Sequence, residues 1–270
     1  MTLHQGKLSN AFLKMGASAN LTVIISVYDD RVLVEQKLAE IRGQSAFKTS
    51  HFIFIEPNSP GFERELIKPF CESNDNCRLI TLNERITLYE AWNLGWENAS
   101  TKYVCISNMD DRMHPELLDS VAKAMEEKTC DLLSVLIAKE SLGTTWDELE
   151  GRCLYSLNIS RRPGPFFAWK RSIKDSLGMF DSEMTVAGDK DFWARASFLK
   201  LRMYLLPRLL YIYSKHPGQL SKNDAFKMQK AKDLELSQSK EYSHRWPVSI
   251  QRAIKLETVK FMFQFWRRIG

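Results

Sequence analysis

The chain has 270 residues, 44% hydrophobic and 26% charged, a globular balance that excludes a disordered chain and supports a core without disulfide staples. Its net charge is +5 and its pI about 8.9, a bias that suits an anionic ligand or surface; with no dense Lys/Arg block and no nucleic-acid module, nucleic acid is excluded as the expected partner. The five cysteines, Cys71, Cys77, Cys105, Cys130 and Cys153, are odd in number and lack C-x-x-C spacing, which points to free thiols in a reducing compartment rather than disulfides or zinc.

Residues 1–20 carry no long apolar run of the signal-peptide type, and no window approaches the roughly 20 apolar residues of a membrane span. The expected location is therefore the cytoplasm or the cytosolic face of a membrane. Residues 21–27 (LTVIISV) predict a buried strand that ends in the polar loop Tyr28-Asp29-Asp30. A helix follows, with Val32, Leu33, Leu38 and Ile41 near one face. Residues 52–55 predict a second strand, broken by the turn formers of EPNSPG, and residues 63–71 a second helix. A third strand is expected over 77–82, a third helix over 86–98 and a fourth strand over 103–107. Alternation of this kind means βαβ units, hence an α/β fold with a mainly parallel sheet. Ligands of such sheets bind beyond the carboxyl ends of the strands, so the loops after Val27, Ile55 and Ser107 should share one edge.

Pro115 opens the next expected helix, with Leu117, Leu118, Val121, Ala124 and Met125 on one face. A fifth strand is expected over 131–137, then an irregular polar segment over 138–162, of the length that functional loops often have. Residues 189–199 read as helix, and 202–206 and 209–213 as two short strands. From Ala225 onward the chain reads as helix, ending in a basic, aromatic amphipathic stretch over 246–270. Two readings fit that stretch: contact with an anionic membrane, or packing on the domain's own surface.

Three segments carry candidate chemistry. In CISNMDDR an apolar strand runs directly into Asn108, Asp110 and Asp111. Adjacent carboxylates repel each other, so something positive should compensate. A divalent cation fits, because Mn2+ and Mg2+ take oxygen ligands and also bind substrate phosphates. Equally, Arg112 fits, pairing with one carboxylate while the other caps the helix at Pro115. In AGDKDFWAR, Asp189 stands at a helix start, as an N-cap or as a general base, while Asp191 and Arg195 are spaced as a helix pair. In YSKHPGQLS, a fixed turn presents His216, a side chain suited to Mn2+ or to a phosphate.

Taken in order, these segments resemble the family 2 glycosyltransferases. TVIISVYDD looks like that family's first strand, Gln44 stands where it often has a Gln, and FIFIEPNSPG takes the place of its strand ending in paired aspartates. LYEAWNLGWENASTKYVCISNMDDRMHPELL looks like its helix, strand and acidic metal motif; PFFAWKRSIKDSLGMFD resembles its acceptor-side segment. AGDKDFWARA matches its acidic base motif and YSKHPGQLS its late histidine turn. The resemblance spans about residues 21–223 and implies the GT-A fold. It divides the chain into an N-terminal extension (1–20), a transferase domain (21–224) and a C-terminal amphipathic tail (225–270).

By that resemblance, Ser26, Tyr28 and Glu56 line a nucleotide pocket. Asp110 is the main metal ligand, Asn108 and Asp111 hold the sugar or the metal, Asp189 is the catalytic base, and His216 reaches the metal or the diphosphate. The implied cofactor is a divalent metal (Mn2+ or Mg2+), the implied donor a nucleotide-diphosphate sugar, and the implied acceptor a hydroxyl on a glycan or lipid-linked precursor. Transfer would invert the anomeric centre. There are departures: Pro57 replaces a second aspartate that contacts the base, Asn108 the first acid of the metal motif, and Gly188 the acid before Asp189. Phe166, Phe167, Trp169, Lys170 and Arg171 fit either an acceptor cleft or, for the phenylalanines, plain core. A nucleotidyltransferase would need a Gly-rich phosphate loop near the N-terminus, and SVYDDRVL has no glycine. The alternative that stands is a binding or membrane-docking protein with a degenerate site.

Overall fold

A computed structural model describes residues 21–150, 152, 159–160, 164–217 and 224–239. The N-terminal extension and the stretch 246–270 lie outside the described residues. The first strand, β1 (Leu21–Ser26), is followed by a 3-10 turn and α1 (Val34–Arg42). Then come β2 (Ser50–Pro57), α2 (Arg64–Glu72), β3 (Cys77–Leu82), α3 (Leu88–Asn98) and β4 (Tyr103–Ile106). The chain continues through β5 (Arg112–Met113), α4 (Leu117–Glu127), β6 (Leu132–Ser141), α5 (Trp146–Glu150) and β7 (Ile159–Ser160). It closes with β8 (Ala168–Lys170), α6 (Lys174–Leu177), α7 (Gly188–Phe198), β9 (Met203–Lys215) and α8 (Asp224–Ser239).

The strands form one sheet in the order β3-β2-β1-β4-β8-β6-β9-β5, with β7 beside β6. β3, β2, β1 and β4 are parallel, as are β6 and β9; β8 runs antiparallel between β4 and β6. Most of the paired length is parallel, as the alternating elements require. Both faces of the sheet are covered. Val23, Ile25, Phe52, Phe54 and Cys105 enter one apolar cluster, with Leu117, Leu118 and Val121 of α4. Their neighbours Ile24, Ile53, Ile55, Val104 and Ile106 enter the other, with Trp92 and Trp96 of α3. A capping box starts α3, with Thr87 Oγ1 accepting from Glu90 N–H at 3.2 Å and the Glu90 carboxylate accepting from Thr87 N–H at 2.7 Å.

Several sequence expectations need correction. The two short strands over 202–213 are one strand, β9, because pairing with β6 resumes after Pro207 and Arg208 are skipped. Proline has no N–H to donate, so it sits in the bulge that the register shift creates. β6 runs on to Ser141, since β9 accompanies it as far as Lys215. The segment expected to be irregular also contains α5, started by reciprocal bonds between Thr145 and Glu148. Phe166, Phe167 and Trp169 are fully buried, so these rings are core and do not line an acceptor cleft. Lys170 pairs with Asp131 at 2.7 Å, and Arg171 Nε donates to the Thr101 carbonyl.

Candidate active site at the carboxyl edge of the sheet

The acidic turn leaves β4 at the carboxyl edge of the parallel strands. Its two carboxylates part company. Asp111 turns inward and is fully buried. Its Oδ1 accepts from Ser214 N–H at 2.9 Å, and its Oδ2 from Asn108 Nδ2 at 2.9 Å and the Tyr211 hydroxyl at 3.1 Å. Burial, then the neighbouring Asp110 charge, pushes the Asp111 carboxyl up to about 7, although the bonds from Ser214 and Asn108 and the Lys37 charge oppose this. Beneath the turn, the buried Lys37 ammonium donates to the Asp111 carbonyl at 2.5 Å and pairs with Glu40 at 2.9 Å. Glu40 in turn holds Arg112 at 2.7 Å. Arg112 thus neutralises neither aspartate of the turn, and α4 starts without a side-chain cap.

Asp110 turns outward and meets His216 at the end of β9, Oδ2 to Nε2 at 3.0 Å, with both side chains 22% exposed. Among the described residues, no group of three or more His, Cys, Asp or Glu side chains is gathered to hold a metal ion. A two-ligand arrangement suits a cation whose remaining ligands are water and phosphate oxygens. Asp30 adds to the negative field. Burial, then the Asp110 charge, raises its carboxyl to about 7, with Glu63 and Asp29 contributing.

The loops after β1 and β2 are bound to each other. Asp29 has a positive φ of 58° and donates its N–H to Ser59 Oγ at 2.8 Å; Asp30 N–H donates to Glu63 Oε1 at 2.6 Å. Ser26 ends β1, and Tyr28 lies under the Arg85 guanidinium, 4.2 Å from its ring centroid. Glu56 is fully buried, accepts the Ser59 N–H and pairs with Arg64 at 2.7 Å. Its carboxylate is engaged by the loop after β2 and by the first residue of α2.

Asp189 sits in the first turn of α7, half-buried. Burial lifts its carboxyl to about 6, while the Lys190 amide and the Lys190 and Lys230 charges favour the ionised form. Gly188 beside it cannot carry the acid expected by resemblance: a Cβ there would lie 2.8 Å from Tyr89 Cδ2 and Cε2. Tyr89 is in the first turn of α3, which follows β3, so Asp189 lies at the same sheet edge as the acidic turn. Asp191 is buried and bonds Arg195 at 2.8 Å, and Arg195 also donates to the carbonyls of Leu177 and Met179. It is the structural member of that pair of acids.

The sequence did not single out Lys37, Asp30, Glu63, Arg85 or Tyr211. Asp30 closes the quoted motif TVIISVYDD without having been given a role there; the others match no pattern that marks a site and are recognised by three-dimensional contact alone.

Comparisons with known proteins bear on the fold and on the family. No curated protein matches the chain. In structure the chain resembles S. aureus TarS 1–349 in complex with UDP-GlcNAc, with a TM-score of 0.64 and 18% identity, covering 80% of this chain and 66% of that one. It also resembles the mannosyltransferase PcManGT from Pyrobaculum calidifontis, in complex with GDP-Man and Mn2+: TM-score 0.63, 18% identity, 90% of this chain and 71% of that one. Against S. aureus TarS the TM-score is 0.60 at 16% identity, and the chain spans only 44% of that protein. At these identities the likeness establishes the GT-A fold. The profile described as Glycosyl transferase family 2 matches residues 22–186, more than half of the chain, and the chain belongs to that family.

Proposed function

We propose that this protein transfers a sugar from a nucleotide-diphosphate sugar to an acceptor hydroxyl, with inversion at the anomeric carbon. The observation that carries this reading is the outward pair of Asp110 and His216, 3.0 Å apart, at the edge where the parallel strands end. The surrounding residues fit a divalent cation: Asp30 and Asp111 both have carboxyls pushed up to about 7, in part by the charge of Asp110, a repulsion that a cation relieves. Asp110 and His216 would hold Mn2+ or Mg2+. Asp111, whose oxygens are taken by Ser214, Asn108 and Tyr211, would hold the turn in shape, and Asn108 would reach the sugar. When bound, the cation offsets negative charge on the departing diphosphate.

Asp189 is the general base in this reading. As the acceptor oxygen bonds the anomeric carbon, its proton passes to the Asp189 carboxylate and the bond from that carbon to the diphosphate oxygen breaks. With its carboxyl at about 6, Asp189 is ionised at neutral pH yet basic enough to accept a proton. Ser26 and Tyr28 would border the nucleotide, with Arg85 stacked on Tyr28 as one wall. Glu56, buried against Arg64, would shape the pocket from behind without touching the base, and so gives no support to a preference for uracil. UDP-GlcNAc and GDP-Man, found with the structural neighbours, are the first donors to try. A glycan or lipid-linked acceptor fits a basic chain acting at a cytosolic membrane face. Among the described residues, no helix is long and apolar enough to cross a membrane.

The test is Asp189→Asn. Donor affinity should stay within about threefold of wild type, while transfer should fall about 10²–10⁴-fold, the usual contribution of general-base help. Undiminished transfer by the variant would remove Asp189 from this role. Donor binding without any turnover by the wild type would favour a degenerate binding protein.

A further inference from the structure

The segment leading to Asp189 is held from an unexpected direction. Asp233, on α8, is buried, and its Oδ2 accepts from three successive amides: Thr185 at 3.0 Å, Val186 at 2.6 Å and Ala187 at 2.9 Å. Ala187 is the N-cap residue of α7 and has no side-chain cap of its own. Ala187, at the start of α7, has no intrahelical acceptor for its N–H, and Thr185 and Val186 precede the helix, so an oxygen from outside it serves all three. A carboxylate does so best, because the amides and the helix dipole both favour negative charge. The other oxygen of Asp233 accepts from Gln229 Nε2 at 2.9 Å, one turn back along α8, which fixes the carboxylate's angle. Lys230, on the same turn, places its charge where it favours the ionised form of Asp189. Leu236 packs against the aromatic cluster that contains Tyr89 and Phe192.

We propose that Asp233 is a positioning residue for the reaction: by binding the amides of Thr185, Val186 and Ala187 it sets where Asp189 stands. The proposal rests on the reading of Asp189 as base. Through these bonds α8 lies against the entry to α7. A base misplaced by a fraction of an ångström loses rate without loss of donor affinity.

The experiment compares Asp233→Ala and Asp233→Asn with wild type in the full chain. Hydrogen exchange is followed by mass spectrometry, and nucleotide release from UDP-GlcNAc and GDP-Man is measured with Mn2+. In Asp233→Ala, exchange over residues 185–189 should quicken about tenfold or more while β1 and β4 stay as in wild type, since three amides lose their acceptor there. Turnover should fall about tenfold or more with donor KM unchanged. Asp233→Asn keeps a neutral acceptor and should recover part of both; it carries the test alone if the alanine variant does not fold. Wild-type exchange in the variants, or quicker exchange with full turnover, overturns the proposal. If the wild type turns over neither donor, the exchange result decides. Asp189→Asn run alongside separates the two ideas: if it keeps full turnover, the base reading fails while the exchange result still stands on its own.

Discussion

Asp189 and Lys37 show how far a single side chain sets the chemistry. The Asp189 carboxyl is raised to about 6 by burial, so the rate of transfer should fall as pH drops through about 6 and level off above it. A kcat profile between pH 5 and 8 checks this; a flat profile across that range would mean that another group takes the proton. Lys37 is buried between Glu40 and the Asp111 carbonyl. Lys37→Ala takes one of two cationic partners from Glu40, which keeps Arg112, and leaves the Asp111 carbonyl without its donor, so it should cost about 1–3 kcal/mol. Chemical denaturation measures this, and a loss under about 1 kcal/mol would show that water reaches Glu40 once the ammonium is gone.

At the scale of elements, close approach decides. A Cβ on Gly95 would fall 2.4 Å from Ile24 Cγ2, so α3 lies directly on β1. Gly95→Ala should therefore destabilise by about 1–3 kcal/mol, against the modest gain that alanine brings to an open helix. A stability equal to or above wild type would show that α3 can lift from the sheet without cost. The same scale shows what the sequence made legible. The strand expected over 77–82 forms as Cys77–Leu82, and the helix expected over 86–98 forms as Leu88–Asn98. The joining of two apparent strands into β9 is not legible, because a bulge at Pro207-Arg208 reads locally as a break and only pairing with β6 reveals continuity. Likewise Phe166, Phe167 and Trp169 carry no local mark that tells core aromatics from cleft aromatics. Phe167 and Trp169 are buried by α3, α6 and α7 closing over them, and Phe166 on the opposite face against Tyr211.

At the scale of the whole molecule, three acids stand above their ordinary range: Asp30 and Asp111 at about 7 and Asp189 at about 6. A raised carboxyl binds its proton in the folded state before the unfolded chain does. Stability from these groups therefore rises as pH falls from about 7 towards 4. His51, lowered by burial, works in the opposite direction below its ordinary range, but it is one group against three. Without metal, the thermal midpoint should rise between pH 8 and 5, and Mn2+ should shrink that rise by stabilising the ionised carboxylates at high pH. A midpoint that falls steadily over this interval in the absence of metal would contradict the crowding. At this scale the α/β fold was legible in the sequence, since the alternation of strands and helices dictates a mainly parallel sheet. The division of labour within the site was not. Asp110 and Asp111 are neighbours in sequence, and only Tyr211, Ser214 and His216, about 100 residues later, send one inward and the other outward.

The most direct measurement is a thermal-shift series with UDP, GDP, dTDP and CMP, each with and without Mn2+, on wild type and Asp110→Ala. Ligand at 100 times its dissociation constant stabilises by about 2.7 kcal/mol, which for a domain of this size is a shift of several degrees. The account predicts a Mn2+-dependent shift with one nucleotide that disappears in Asp110→Ala, while the variant keeps its folded midpoint. No shift with any nucleotide, or an undiminished metal-dependent shift in Asp110→Ala, would contradict it.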